Sequence, residues 1–305
     1  MSIPNESVEI RRKRALPFSQ ALMYFVQLRP RQWTKNLLVF AALIFSIKKS
    51  NVDMLLHSII GFFLFCFVSS CVYILNDFVD READRQHPEK RHRPMASGAI
   101  NPYGALFLGA ILLVFSLTTA FSFSPLFAVL LVVYFLLNVA YSFKLKHVVI
   151  LDILIIASGF LFRAIGGGLV IGVQLTPWFL ICTLLLSLFL AISKRRHELH
   201  LLEGNKGAHR KVLDSYSFDL LNQFNSIVTT ATIMSYALFT FTSGHTIYLM
   251  WTLVFVLYGI FRYLYLIHME DKGGKPEKVL FEDRHILVTV MLYAFSVVLI
   301  LVYFE

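Results

Sequence analysis

Residues 55–84 read LLHSIIGFFLFCFVSSCVYILNDFVDREAD, an apolar run long enough to cross a membrane with an acidic cluster at its end. In that cluster Asp77, Asp80 and Asp84 follow the spacing i, i+3 and i+7, which puts three carboxylates on one face of a helix. Carboxylates at the edge of a bilayer are costly and are usually retained for a function. The cluster therefore predicts a site where these carboxylates, with the neighbouring Asn76 amide, hold a divalent cation. A solvated helix end is the alternative interpretation.

The composition of the chain indicates a polytopic membrane protein. Of its 305 residues, 57% are hydrophobic and only 15% are charged, and the mean hydropathy is +0.67, outside the usual range of soluble domains. We therefore expect one all-α domain over residues 1–305, with a basic arm at 1–28. Apolar runs of roughly 17–25 residues predict about nine transmembrane helices, near 33–49, 55–78, 103–123, 125–143, 149–171, 174–193, 222–242, 245–266 and 285–304.

Lys and Arg fall almost entirely on alternate connections between these spans. The N-terminal arm and the connections 79–102, 144–148, 194–221 and 267–284 are basic, whereas the others carry only Lys48 and Lys49. The positive-inside rule then predicts a cytoplasmic N-terminus, an acidic cluster on the cytoplasmic side of a plasma membrane, and Glu305 outside. The net charge of +9 is explained by this topology and by attraction to anionic lipids, and without a soluble basic domain it does not indicate nucleic acid binding.

Three motifs resemble the UbiA superfamily of intramembrane prenyltransferases. They are RPRQWTKN at 29–36, NDFVDREAD at 76–84 and YSFKLK at 141–146, and the likeness runs over essentially the whole chain. The first motif and SKRRHE at 193–198 are most similar to the decaprenyl-phosphate phosphoribosyltransferase branch. That branch joins 5-phosphoribosyl 1-diphosphate to a polyprenyl phosphate, as part of cell-envelope (cell wall) precursor synthesis. The resemblance implies helices packed around a central cavity that opens to the cytoplasm and to lipid.

The resemblance also implies a mechanism. Asp77, Asp80 and Asp84 hold Mg²⁺ on the diphosphate of the donor and stabilise the charge that develops there as the bond to ribose C1 breaks. The lipid phosphate, with a second pKa near 6, is mostly dianionic at neutral pH and needs no general base. Its attack opposite the leaving group gives a polyprenyl-phosphoryl-β-ribose 5-phosphate.

The second acidic motif of prenyl-transferring family members is absent here. Those enzymes carry a second Asp-rich motif between spans six and seven, where this chain has Lys194, Arg195 and Arg196. Fixed cations suit a site that gathers several phosphate groups, because guanidinium groups bind phosphate oxygens in pairs. The alternative is an enzyme that moves a prenyl group from a prenyl diphosphate to an aromatic acceptor, and a transporter is a second alternative.

The motifs and their spacing select the substrate-binding candidates. Asp152 and Arg163 lie eleven residues apart on one face of the fifth span, so both should face a polar cavity or each other. Arg85, next to Asp84, is the favoured donor contact. Other candidates keep a simpler interpretation, as a headgroup lysine for Lys35, as positive-inside charge for Arg93, or as a surface ion pair for Lys194 and Glu198. Isoprenoid length, oligomeric state and the number of Mg²⁺ ions stay open. The candidates are Lys35, Asn76, Arg85, Arg93, Tyr141, Lys144, Lys146, Asp152, Arg163, Lys194, Arg195 and Glu198.

Overall fold

The computed structural model describes residues 17–88, 90–203, 211–270, 272, 274 and 276–304, and within them it is helical without strands. Residues 1–16, which include Arg11 to Arg14 of the predicted basic arm, lie outside this part of the chain. The α-helices are α1 (Pro17–Gln27), α2 (Ala41–Ile44), α3 (Val52–Val79), α4 (Arg81–Gln86), α5 (Pro102–Phe123), α6 (Pro125–Phe143), α7 (Leu151–Ile171), α8 (Pro177–Glu203), α9 (Phe218–Thr242), α10 (Leu253–Met269), α11 (Pro276–Glu282) and α12 (Arg284–Phe304).

Eight helical segments in the described residues are long and apolar enough to cross a membrane. They correspond to the second to ninth predicted spans, so the expected multi-pass, all-α fold is confirmed. Helices suit this environment because each backbone N–H and C=O finds its partner within the same segment. The boundaries follow local signals: α5 begins after the cap residue Asn101, and Ser124 with Pro125 separates α5 from α6.

The predicted first span, 33–49, is not a continuous α-helix. The chain forms a 3₁₀ helix over Pro30–Phe40, followed by the short α2. Trp33, Asn36 and Val39 recur every three residues, and in a 3₁₀ helix such residues lie on one line. Asn36 and Val39 are fully buried, and a side chain on Gly167 of α7 would collide with the Val39 carbonyl. Burial of this three-residue stripe explains the tighter helix.

Helices α3 and α7 lie deepest in the bundle. In their most apolar windows 61% of α3 and 44% of α7 residues are buried, compared with 17% for α5. A core of α3 and α6 residues, which includes Phe65, Phe127 and Tyr134, packs where these helices meet. Both central helices carry charged residues that the sequence singled out, so the fold brings those residues inside the bundle.

The bundle has two ends that differ in charge. We call the end that bears Asp77, Asp80 and Asp84 the carboxylate end; the connections 45–51, 172–176 and 243–246 form the opposite end. At the carboxylate end α8 continues to Glu203, so Lys194, Arg195 and Glu198 lie on a helix and not in the predicted 194–221 loop. The helix extends beyond its apolar segment because Lys, Arg and Glu are good helix formers.

Candidate functional site

The three carboxylates do not share one continuous helix. Asp77 lies in the last turn of α3, Asp80 lies between α3 and α4, and Asp84 lies in α4. Asp77 and Asp84 are each 3% exposed, whereas the Asp80 side chain is 30% exposed. Asp80, at the break between the two helices, is therefore the most exposed of the three carboxylates.

Arg93 joins the two buried carboxylates. Its Nη1 donates to Asp77 Oδ1 at 3.0 Å and to Asp84 Oδ2 at 2.5 Å. Asp77 also accepts from Arg29 Nη2 at 2.5 Å and from Gln27 Nε2 at 2.8 Å. Buried carboxylates need such partners, because an unpaired buried charge is strongly destabilising. The sequence prediction named Arg93 but missed Gln27 and Arg29, although Arg29 opens the RPRQWTKN motif and has the unusual φ of 55°.

The third carboxylate has a different cation. Lys146 Nζ donates to Asp80 Oδ1 at 2.8 Å across 66 residues of sequence, which brings the YSFKLK motif to the NDFVDREAD motif. With Arg29 and Arg93, three cations face the three carboxylates. Their side chains are 25%, 26% and 13% exposed for Arg29, Arg93 and Lys146. All three cations are therefore partly exposed.

The acidic cluster fits a divalent cation in part. Carboxylate oxygens are the ligands that Mg²⁺ prefers, and Asp77 and Asp84 already surround one positively charged group, Arg93 Nη1. However, the described residues contain no group of three His, Cys, Asp or Glu side chains arranged to hold a metal. Asp80 is held by Lys146, and Asn76 is half-buried. Two carboxylates are therefore preformed for a shared cation, while Asp80 and Asn76 are only adjacent.

Other predicted cations lie on neighbouring elements: Arg85 in α4, Lys144 after α6 and Lys35 on the 3₁₀ helix. Arg85 donates to Glu82 and to the Ala96 carbonyl, so it braces the loop after α4. The hydrogen bond from Arg81 lowers the pKa of the exposed Glu82 carboxyl. Lys144 is exposed at the end of α6, and Lys35 is half-buried on the 3₁₀ helix.

A second charged group, the Arg195 cluster, lies between α7, α8 and the segment before α9. Arg195 and Asp152 are fully buried, and Arg195 Nε donates to Asp152 Oδ2 at 2.6 Å. The same guanidinium donates to Glu198 and, at 3.4 Å, to the Tyr141 hydroxyl. Asp152, Arg195, Glu198 and Tyr141 were each predicted to bind substrate, but here they bind one another.

Tyr216 completes the Arg195 cluster and was missed by the sequence prediction. Its hydroxyl donates to Asp152 Oδ1 at 2.7 Å and accepts from the backbone N–H of Ile150 at 2.8 Å. Burial raises the pKa of the Tyr216 phenol, so the hydroxyl stays protonated. Ile150 has φ of 71°, a costly conformation for a β-branched residue. Tyr216 thus holds the strained turn that leads from Lys146 to α7. No local sequence signal marks this tyrosine.

Arg163 lies in a third, uncharged environment. Its nitrogens donate to Asn36 Oδ1 at 2.6 Å, to the Gly159 carbonyl at 2.5 Å and to the Tyr134 hydroxyl at 3.0 Å. No carboxylate within the described part of the chain pairs with it. It does not meet Asp152, because eleven residues of helix separate the two by about 16 Å along the axis. Arg163 instead ties α7 to the 3₁₀ helix through Asn36.

An apolar groove lies beside the Arg195 cluster. It has a volume of about 190 Å³ and is formed by α7, α8 and α9 near the carboxylate end. One of its lining residues, Ile153, directly follows Asp152 in sequence. Such a groove can take a branched hydrocarbon chain next to a charged site. The lining residues are Ile150, Ile153, Leu154, Leu188, Ile192, Phe224, Ile227 and Val228.

Comparisons with known proteins agree with this architecture. Residues 37–283 match the model of the UbiA prenyltransferase family. The decaprenyl-phosphate phosphoribosyltransferase of Mycolicibacterium smegmatis is 37% identical over 273 residues, covering 84% of this chain and 85% of that protein. The protein of the same name from Corynebacterium glutamicum is 35% identical over 305 residues, covering 96% and 91%.

A solved structure shares the fold. It is a UbiA homologue from Archaeoglobus fulgidus bound to GPP and Mg²⁺, with a TM-score of 0.70 over 90% of this chain and 99% of that chain. The sequences are only 17% identical, so this likeness supports the helical architecture alone. The predicted family resemblance is confirmed by the family model and the curated relatives together.

Proposed function

The chain belongs to the UbiA prenyltransferase family, and we propose that it transfers the 5-phosphoribosyl group from 5-phosphoribosyl 1-diphosphate to a polyprenyl phosphate. The relatives named decaprenyl-phosphate phosphoribosyltransferase cover most of the chain and support this choice of substrates. The observation that carries the proposal is the pairing of three carboxylates with three partly exposed cations, Arg29, Arg93 and Lys146, at the end of α3. The end of α8, where prenyl-transferring members carry a second acidic motif, has Lys194, Arg195 and Arg196 instead.

The metal is assigned to the acidic cluster. Asp77 and Asp84 would hold Mg²⁺, with Asp80 and Asn76 as neighbouring ligands after Lys146 has released Asp80. Where Mg²⁺ is bound, it supplies the positive charge that stabilises the diphosphate leaving group. The balance of three acids and three cations supports this assignment, because the carboxylates could exchange these cations for the metal and leave the cations available to the donor.

The released cations bind the donor. Arg29 and Arg93 each present a planar guanidinium, which binds two phosphate oxygens at once. Lys35 and Lys144 would add single positive charges. The donor carries a 5-phosphate and a diphosphate, so more anionic oxygen is present than the metal alone can neutralise. Arginine and lysine therefore orient the donor and keep its ribose C1 exposed to the acceptor.

The acceptor enters from the lipid. Its isoprenoid chain lies in the apolar groove beside α7, and its phosphate points to the carboxylate end. A phosphate oxygen forms a bond to ribose C1 while the bond from C1 to the diphosphate breaks, and the electron pair leaves with the diphosphate. Displacement from the opposite face inverts C1 and gives the β-linked product. The protein positions both substrates and excludes water, which would otherwise hydrolyse the donor.

The carboxylate end is assigned to the cytoplasmic side of the plasma membrane. Arg85, Arg93, Lys144, Lys146 and Lys194 lie at this end, and the positive-inside rule places such residues in the cytoplasm. A phosphorylated sugar donor, which does not cross a bilayer unaided, would then meet the enzyme on the side where nucleotide and sugar phosphates are made.

The proposal is tested with the purified full-length protein. We expect ribosylated lipid when the protein receives Mg²⁺, labelled 5-phosphoribosyl 1-diphosphate and polyprenyl phosphate, and loss of product after chelation. In a parallel reaction the protein receives a prenyl diphosphate and an aromatic acceptor. Product formed only in the parallel reaction would overturn the proposal in favour of prenyl transfer. The same lipid-linked sugar should appear in membranes that contain the protein.

A further inference from the structure

The opposite end of the bundle contains a cavity that the proposed reaction does not use. Its volume is about 410 Å³, and the connections 45–49, 173–176 and 243–245 converge on it. Helix α3 has 28 residues, from Val52 next to this cavity to Val79 beside Asp77. At 1.5 Å per residue the two sites lie about 40 Å apart. The cavity is therefore separate from the acidic cluster.

Two lysines give this cavity its charge. Lys48 and Lys49 line it, and both side chains are exposed on the short turn Ile47–Lys49. Neither forms an ion pair with any residue that the structure describes. In the described segments at this end, the nearest acid is the exposed Asp53. The positive-inside rule gives no reason for lysines on this side, so a local role explains them better.

The neutral polar groups of the cavity are suited to anionic oxygen. Thr176 Oγ1 accepts from the Phe179 N–H at 3.3 Å, and Ser243 Oγ accepts from the His245 N–H at 3.4 Å. Each hydroxyl keeps its hydrogen for donation. Gln174 supplies an amide in the same lining. Two ammonium groups, two hydroxyl donors and an amide can together bind the oxygens of one phosphate.

The interior of the cavity is aromatic. The Phe45 ring lies 5.2 Å from Phe179 and 5.5 Å from Phe239, measured between ring centroids. A volume of about 410 Å³ holds on the order of ten water molecules at about 30 Å³ each, far more than a free phosphate occupies. The combination of a cationic rim and an aromatic interior fits a phosphate that carries an apolar chain.

We propose that this opposite-end pocket binds the phosphate headgroup of an anionic membrane lipid. Basic pockets between transmembrane helices bind such headgroups by charge and shape together. The ligand joins the turn after α2, the connection before α8 and the connection after α9, so it holds three elements in place. The pocket contributes to stability and not to the transfer reaction.

The test uses the full-length protein in a non-ionic detergent. Phosphatidylglycerol should raise the melting temperature of the unmodified protein and be retained in native mass spectrometry, and phosphatidylcholine and inorganic phosphate should do neither. In the Lys48→Gln/Lys49→Gln variant the apparent Kd for phosphatidylglycerol should rise at least tenfold. The matched control is Lys272→Gln/Lys278→Gln, which removes two lysines of equal 60% exposure from the carboxylate end.

Three results would overturn the proposal. They are equal lipid affinity of the Lys48→Gln/Lys49→Gln variant and the unmodified protein, equal loss in both double variants, and protection by inorganic phosphate as strong as by the lipid. Because both lysines are exposed, the variant should fold, and an unchanged melting temperature without lipid verifies this. Transfer activity, measured separately, should stay within twofold.

Discussion

The acidic cluster and the Arg195 cluster both pair acids with cations at the same end of the bundle, yet they differ in accessibility. In the acidic cluster, Arg29 and Arg93 are about one quarter exposed. In the Arg195 cluster, the side chain of Arg195 is 1% exposed and its acid partner Asp152 is 0% exposed. A cation that reaches the surface can transfer its hydrogen bonds to an incoming phosphate, whereas a sealed one cannot without breaking the fold. Charge alone therefore does not identify a ligand contact.

The largest effect is expected in the acidic cluster. The substitution Asp77→Asn removes a buried charge that we assign to the metal, and turnover should fall by about 10³-fold or more, in line with the loss of preorganised electrostatic stabilisation. Turnover per mole of purified protein measures this loss. The control Asp53→Asn makes the same chemical change at the opposite end and should retain full turnover. Turnover within tenfold of the unmodified protein in the Asp77→Asn variant would contradict the metal assignment.

Substitutions in the Arg195 cluster should lower the stability of the protein. The substitution Arg195→Met leaves Asp152 buried without its cation, which costs about 3–5 kcal/mol when a buried pair is broken. We expect a large drop in melting temperature and in the amount of folded protein in membranes. The double variant Asp152→Asn/Arg195→Met removes both charges and should recover part of the loss. No recovery in the double variant would show that the pair is not the source of the effect.

A conservative substitution of Arg93 tests by kinetics whether the acidic cluster, unlike the Arg195 cluster, binds substrate. Arg93→Lys keeps the positive charge but loses the planar, two-pronged donor, so the KM for 5-phosphoribosyl 1-diphosphate should rise by about tenfold. The melting temperature should change little, because Lys can still pair with Asp77 or Asp84. If Arg93→Lys instead lowered stability and left KM unchanged, Arg93 would belong with Arg195 as a structural cation.

The smallest effect on transfer activity is expected at Tyr216. Tyr216→Phe removes one hydroxyl that bridges Asp152 and Ile150, and the free energy of unfolding should fall by about 1–3 kcal/mol because a buried acceptor and a donor lose their partner. Transfer activity of the folded protein should fall only a few-fold, through movement of the turn that carries Lys146. Tyr303→Phe, at a residue that is 76% exposed, is the matched control.

Several features of the site were predictable from the sequence. The spacing of Asp77, Asp80 and Asp84 at the end of an apolar run predicted an acidic cluster, and Arg93 in the next connection was predicted to lie near it. The joining of Lys146 to this cluster agrees with the family motif. These residues could be selected as site candidates because charged residues are rare near a bilayer and are usually retained there for a function.

Other features were not predictable because they depend on contacts between distant segments. Arg195 was expected to face a phosphate, but it forms an ion pair with Asp152, 43 residues away in the sequence. Asp152 and Arg163 share a helix face and were expected to face a polar cavity or each other, but helical rise keeps them apart and each binds other residues. Tyr216 is one of 13 tyrosines and has no motif around it. The first span was expected to be α-helical, and packing on α3 and α7 favours a 3₁₀ helix.

The sequence by itself determined that the chain is a multi-pass helical membrane protein, because apolar length and backbone hydrogen bonding within each span are local properties. Its motifs at 29–36, 76–84 and 141–146 carried the resemblance to the UbiA family. The tertiary structure decided which charges meet. Whether an arginine lies against a carboxylate, as Arg195 does, or against neutral groups, as Arg163 does, depends on how the helices pack and rotate. Because ion pairs form across this packing, their partners are fixed only when the bundle is complete.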